Sequence, residues 1–99
     1  MDIKKCNSLQ EAREEIDKID DKIVELIATR NAYIKQIAHF KNSVEEVKAQ
    51  DRIDDVINRM RAKAIELDLS PNLINELYIK MIDAMVDTEI AELQNAKNH

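Results

Sequence analysis

From Leu9 to Phe40, apolar residues recur three and four apart without a break. The run is Leu9, Ala12, Ile16, Ile19, Ile23, Leu26, Tyr33, Ile37 and Phe40, with Arg30 at the step between Leu26 and Tyr33. Such alternation is a heptad seam, the pattern of a helix that buries one stripe against another helix. It predicts an uninterrupted helix of roughly 34 residues, about 50 Å long. A compact domain of about 100 residues has a radius of gyration of about 13 Å. A helix of that length overhangs such a domain, and a second copy of the chain is the simplest partner for the overhang. The seam therefore predicts an obligate homodimer built around paired long helices.

The rest of the chain reads as helix too. The 99 residues include no glycine, one proline and three aromatic residues, a depletion of helix breakers and strand formers that predicts an all-α fold. That length is one domain, residues 1–99. Ser8-Leu9-Gln10-Glu11 has capping-box spacing, with Glu11 expected to reach back to the Ser8 amide. The first helix is expected to run to about Lys41, and the stretch 42–50 (NSVEEVKAQ) reads as a loop. A second helix opens at Gln50 or Asp51, with the stripe Ile53, Val56, Ile57, Met60, Ala64, Leu67. Asp68-Leu69-Ser70-Pro71 breaks it; Ser70 is the expected N-cap and Pro71 the first position of a third helix reaching about Asn95. That helix presents Leu73, Ile74, Leu77, Tyr78, Met81, Ile82 and Met85, and one further step along the stripe arrives at Glu89. The expected fold is a three-helix chain with one very long N-terminal helix, intertwined as a homodimer.

Composition removes several function classes. A net charge of −5 argues against nucleic-acid binding, which needs a basic surface. No apolar run approaches the roughly 20 residues that span a bilayer, and the N-terminus has no apolar segment of the signal-peptide kind. The lone cysteine, Cys6, fits a reducing cytoplasm and reads as an unreactive thiol. His39, His99 and Cys6 are too few and too scattered for a metal site. No metal and no cofactor are expected.

The informative residues are ionisable side chains on apolar stripes. A charge on a buried seam is costly unless a partner or a ligand meets it. The positions one turn from Arg30 are Leu26, Ile27, Tyr33 and Ile34, none of them acidic. Lys41 lies 11 residues on, nearly the same face of a continued helix, and Arg13 lies 17 residues before. One small ligand cannot touch both Arg13 and Lys41 of a single straight helix. It can touch Arg30 and Lys41 of one chain and Arg13 of another if the long helices pair antiparallel, with Arg52 folding over the same spot. That constellation reads as a pocket for a small polyanion, most naturally a dicarboxylate held by bidentate arginines. The bland alternative is a set of solvated cations or snorkelling arginines, with Glu89 a helix-end carboxylate in water and Met85 core.

The run REEIDKIDDKIVELIATRNAYIKQIAHFK, then DR, then LDLSPNLINELYIKMIDAMVDTEI resembles the all-α chorismate mutase family, including its sister group of isochorismate-pyruvate lyases, over about residues 6–93. The resemblance implies an intertwined dimer of three-helix chains with two equivalent sites. Arg13 falls at the position contributed across the interface. Arg30 and Lys41 fall at the arginine and lysine that grip the substrate's carboxylates and ether oxygen, and Arg52 at a further carboxylate-binding arginine. Glu89 falls at a third-helix position that is glutamine in many members and glutamate in some. Ile53 stands where typical mutases place an acidic residue, Ala49 where they place an aspartate, and Met85 where a small polar residue is usual. The apolar pair Ile53 and Ala49 is closer to the lyase pattern.

The implied activity is the cofactor-free pericyclic rearrangement of chorismate to prephenate, with Lys41, Glu89 and Arg30 as the catalytic residues. The alternative is elimination of pyruvate from isochorismate to give salicylate. The reading from a different class is a non-catalytic helical dimer serving as a binding or structural module.

Overall fold

A computed structural model describes residues 2–97. Every element is helical: α1 (Leu9–Ala38), α2 (Val44–Val47), α3 (Gln50–Glu66) and α4 (Pro71–Lys97), with no strand among the described residues. The all-α expectation and the three long helices are present. Packing divides the chain into two compact units, residues 1–32 and 33–99, the division falling within α1.

In the first unit, Ser8 caps α1 as expected, its Oγ accepting from the Glu11 amide at 3.1 Å. The return half of the box is displaced by one residue. Glu11 Oε2 accepts from the Asn7 amide at 2.6 Å, so the reciprocal donor is Asn7 and not Ser8. The seam residues of this unit are on the surface of the single chain: Leu9, Ile16, Ile19, Ile23 and Leu26 are all exposed, Leu26 by 69%. The seam is thus not the core of the protomer. Cys6 is half-buried.

The second unit holds the buried residues. α3 packs on α4, and α2 packs on α4. Val56 and Ala64 are buried from α3, and Ile82, Met85, Glu89 and Leu93 from α4. A separate apolar cluster joins Ala38, Val47 and Leu93, with Val86 and Ile90 against it. Tyr33, Ile37 and Phe40 continue the seam and are exposed here as well.

Two boundaries differ from the sequence expectation. α1 stops at Ala38, three residues short of Lys41, because its last turn tightens. The His39, Phe40 and Lys41 amides donate to Gln36 O, Ile37 O and Ala38 O, each three residues back. Lys41 therefore sits in a turn and not on the helix. The expected loop 42–50 instead contains one helical turn. Ser43 Oγ accepts from the Glu46 amide at 3.3 Å while Glu46 Oε2 accepts from the Asn42 amide at 2.7 Å. The signal was present as Ser43-Val44-Glu45-Glu46, a second capping box. The Leu67, Leu73 and Leu77 side chains, read as members of apolar stripes, are exposed in the single chain.

The α3–α4 corner shows why its four residues break the helix. The Leu69 amide donates to Ala64 O at 2.8 Å and the Asp68 amide to Ile65 O at 3.2 Å, the paired bonds of a Schellman ending. Asp68 holds the left-handed position with φ of 58°. Ser70 Oγ then accepts from the Leu73 amide at 3.3 Å, and α4 opens on Pro71 as expected. The left-handed conformation disfavours any residue carrying a Cβ. Asp68→Gly relieves that clash and is expected to stabilise the chain by about 1 kcal/mol, raising Tm by roughly 4 °C or more. Thermal melting followed by circular dichroism checks it. An unchanged or lowered Tm means that residue 68 does not adopt this ending in solution.

Candidate functional site

α4 buries one ionisable side chain. Glu89 is 6% exposed, one helical turn past the buried Met85 on the stripe that also carries Ile82. The reading of Glu89 as a carboxylate in water is thereby set aside. Its Oε2 is shielded from solvent and accepts no hydrogen bond among the described residues. Lys41 faces it, with Nζ 4.0 Å from Glu89 Oε2.

Two opposing effects act on this carboxyl group. Burial removes water from the charged form and dominates, while the Lys41 ammonium favours it. The net result is that Glu89 titrates above the ordinary glutamate value. Glu89 accordingly keeps its proton to higher pH than an exposed glutamate does. A protonated carboxyl donates a hydrogen bond; an ionised one only accepts.

Lys41 is held in place by local structure. The tightened end of α1 delivers its backbone, and its Nζ donates to Glu46 O at 2.8 Å. The single turn of α2 therefore supplies the carbonyl that orients the ammonium. The side chain is 24% exposed, with its head between that carbonyl and the Glu89 carboxyl. An ammonium and a protonatable carboxyl side by side are chemically able to offer two donors to one oxygen.

Of the remaining residues singled out from sequence, Arg52 and Ile53 lie in the first turn of α3, Arg52 exposed and Ile53 half-buried. Ala49 is the N-cap of α3 and, being apolar, gives it no side-chain hydrogen bond. Arg13 and Arg30 belong to the unit of residues 1–32, Arg13 exposed and Arg30 half-buried. The structure thus brings Lys41 and Glu89 together within one unit, with Met85 one turn before Glu89 on α4 and Arg52 and Ile53 on α3 of that unit. The residue that sequence reasoning missed is Glu46. Its capping-box spacing was visible, but its carbonyl's role is a backbone matter that no side-chain pattern reports.

No group of three or more His, Cys, Asp or Glu among the described residues is placed to hold a metal ion. His99 lies outside the described residues. No described helix is long and apolar enough to cross a membrane.

The profile of the family described as chorismate mutase type II matches residues 12–90. A chorismate mutase of Methanocaldococcus jannaschii is 32% identical over 91 residues, which cover 88% of this chain and 92% of the relative. An isochorismate pyruvate lyase of Pseudomonas aeruginosa is 28% identical over 85 residues, covering 86% of this chain and 84% of the relative.

Proposed function

Because this chain belongs to the type II chorismate mutase family, we propose that it is an enzyme that rearranges chorismate to prephenate. The observation that carries this reading is the Lys41–Glu89 pair. It couples an oriented ammonium to a buried carboxyl whose Oε2 has no hydrogen bond among the described residues. In the rearrangement an ether C–O bond breaks as a C–C bond forms, and the ether oxygen gains electron density. Lys41 stabilises that charge, and protonated Glu89 donates to the same oxygen. The substrate carries two carboxylates, which suit the planar forks of Arg30, Arg52 and Arg13. Ile53 and Met85 give the pocket apolar walls. Holding the enolpyruvyl arm over the ring supplies the remaining rate gain by fixing a near-attack geometry.

The active form in this reading is a homodimer. The exposed seam supports it: Leu9, Ile16, Ile19, Ile23 and Leu26 form an apolar stripe too regular to be left in water. Arg13 then serves the partner's site. The family match spans both packing units, which supports treating the chain as one working domain. The lone Cys6 suits a reducing cytoplasm.

A second reading has its own support. Ile53 and Ala49 are apolar where typical mutases carry acids, and one relative is an isochorismate pyruvate lyase. The same cations would promote loss of pyruvate from isochorismate. A product assay with both substrates decides. Prephenate from chorismate at the higher kcat/KM establishes the mutase, salicylate and pyruvate from isochorismate establish the lyase, and turnover of neither sinks both readings.

Arg13 has a test of its own. Arg13→Ala and Lys41→Ala are each expected to be nearly inactive, yet co-refolded together they regain about a quarter of wild-type activity. That fraction follows because half of randomly formed dimers are mixed, and each mixed dimer has one intact site. No recovery would show that Arg13 does not act across a dimer interface.

A further inference from the structure

The last two turns of α4 are built onto the turn that carries Lys41. Leu93 is buried with Ala38 and Val47, which lie before and after that turn. Glu92 Oε1 is 3.2 Å from His39 Nε2, two residues ahead of Lys41. Lys97 Nζ donates to the backbone carbonyl of Asn42, the residue directly after Lys41. The backbone is thus tied to α4 on both sides of the lysine. Glu89 stands one turn before Leu93 on the same helix. One rigid element therefore carries the carboxyl group and also anchors the lysine opposite it.

These anchors lie outside the stretch matched by the family profile, which ends at residue 90. As stabilising contacts the polar anchors are small, unlike the buried Leu93. The His39 and Glu92 side chains are 54% and 32% exposed, and pairs so placed contribute little to folding. Geometry is another matter, since a displacement of about 1 Å at a reacting centre lowers a rate by as much as about a hundredfold. A contact that hardly affects stability can therefore dominate a rate.

We propose that Glu92, Leu93 and Lys97 are positioning residues for Lys41, clamping its turn so that Nζ stands beside Glu89 Oε2. The clamp acts on the rate of the chemical step and not on substrate grip. It rests on the reading of Lys41 as the group that meets the ether oxygen.

The test uses the full chain. Lys97→Met keeps the aliphatic stem and removes the donor to Asn42 O; Lys97→Arg keeps a cationic donor. With chorismate as substrate, Lys97→Met is expected to lower kcat about tenfold with KM within about twofold. Its Tm should move by no more than a few degrees, and Lys97→Arg should restore most of the rate. On a Lys41→Ala background, Lys97→Met should cost nothing further, because the group it places is gone. A second readout needs no turnover: the titration of the Glu89 carboxyl followed by NMR. The Lys41 charge holds that titration down, so freeing the lysine in Lys97→Met moves it upward, whereas on the Lys41→Ala background it stays put. An unchanged kcat and an unmoved Glu89 titration in Lys97→Met overturn the proposal. So do losses that add in full to those of Lys41→Ala, which would mark a general structural role. If the wild type turns over neither chorismate nor isochorismate, the functional reading falls, and the carboxyl titration alone decides whether Lys97 places Lys41.

Discussion

Lys41→Ala is expected to lower kcat/KM for the turned-over substrate by about a hundredfold to a thousandfold, the loss seen when one fixed donor to a developing oxyanion is removed. The lysine is suited to that size of effect because it is already oriented. Its Nζ donates to Glu46 O at 2.8 Å and faces Glu89 Oε2 at 4.0 Å, so little reorganisation is left for the moment of reaction. An ammonium waving in solvent would have to be ordered first, and its removal would matter less. Stability should change little, because the Glu89 contact is at the outer limit of an ion pair and the lysine is partly solvated. The comparison that matters is kcat/KM against Tm in the same preparation. A Lys41→Ala protein within about threefold of wild-type kcat/KM would remove Lys41 from the mechanism. Lys41→Arg separates charge from geometry. It keeps the cation but replaces a compact head with a planar fork that cannot take the same place between Glu46 O and Glu89, so most of the loss should remain.

How much of this site could be read from the chain depends on which interaction places each residue. Glu89 was legible as a candidate because a helical stripe is a local pattern: Tyr78, Ile82 and Met85 fix a face, and Glu89 is the next position on it. Ser70 and Pro71 were legible for the same reason, as caps act within one turn. Lys41 was found by type but misplaced. The heptad count carries on to Phe40, whereas three successive short-range bonds end the helix at Ala38. That ending is decided by the capping box that opens α2 and by Val47 seating beside Ala38 and Leu93, a contact between distant parts of the sequence. Periodicity cannot see such a contact. The seam shows the converse limit. Its regularity marks a helix, and Leu9, Ile16, Ile19, Ile23 and Leu26 lie exposed in the single chain, but neither the pattern nor the exposure names a partner for them. Arg13, exposed on α1, is legible as a cation and not as anyone's ligand.

Glu89→Gln should flatten the pH dependence of the reaction. Burial is the larger influence on Glu89 and raises its titration above the ordinary glutamate value, with Lys41 pulling the other way. The folded protein therefore holds that proton at pH values where the unfolded chain has released it. The stability that protonated Glu89 contributes is fully present below the ordinary glutamate value and is lost as pH rises through the elevated one. Catalysis should follow the same proton. Only the protonated carboxyl donates to the ether oxygen, so once pH passes the elevated value kcat/KM falls by about tenfold per pH unit. A bound dianion disfavours ionised Glu89 still further, so the limb in kcat, which reports the complex, should lie at higher pH than the limb in kcat/KM, which reports the free enzyme. Removing the Lys41 charge should move the free-enzyme limb in the same upward direction, since that charge is what restrains it. Glutamine carries two N–H donors at every pH. Glu89→Gln should therefore keep activity on the acid side, lose the descending limb, and exceed the wild type at alkaline pH. A wild-type profile flat from about pH 5 to 8, together with an unaltered profile in Glu89→Gln, would mean that the carboxyl is buried for packing and takes no part in the proton-dependent step.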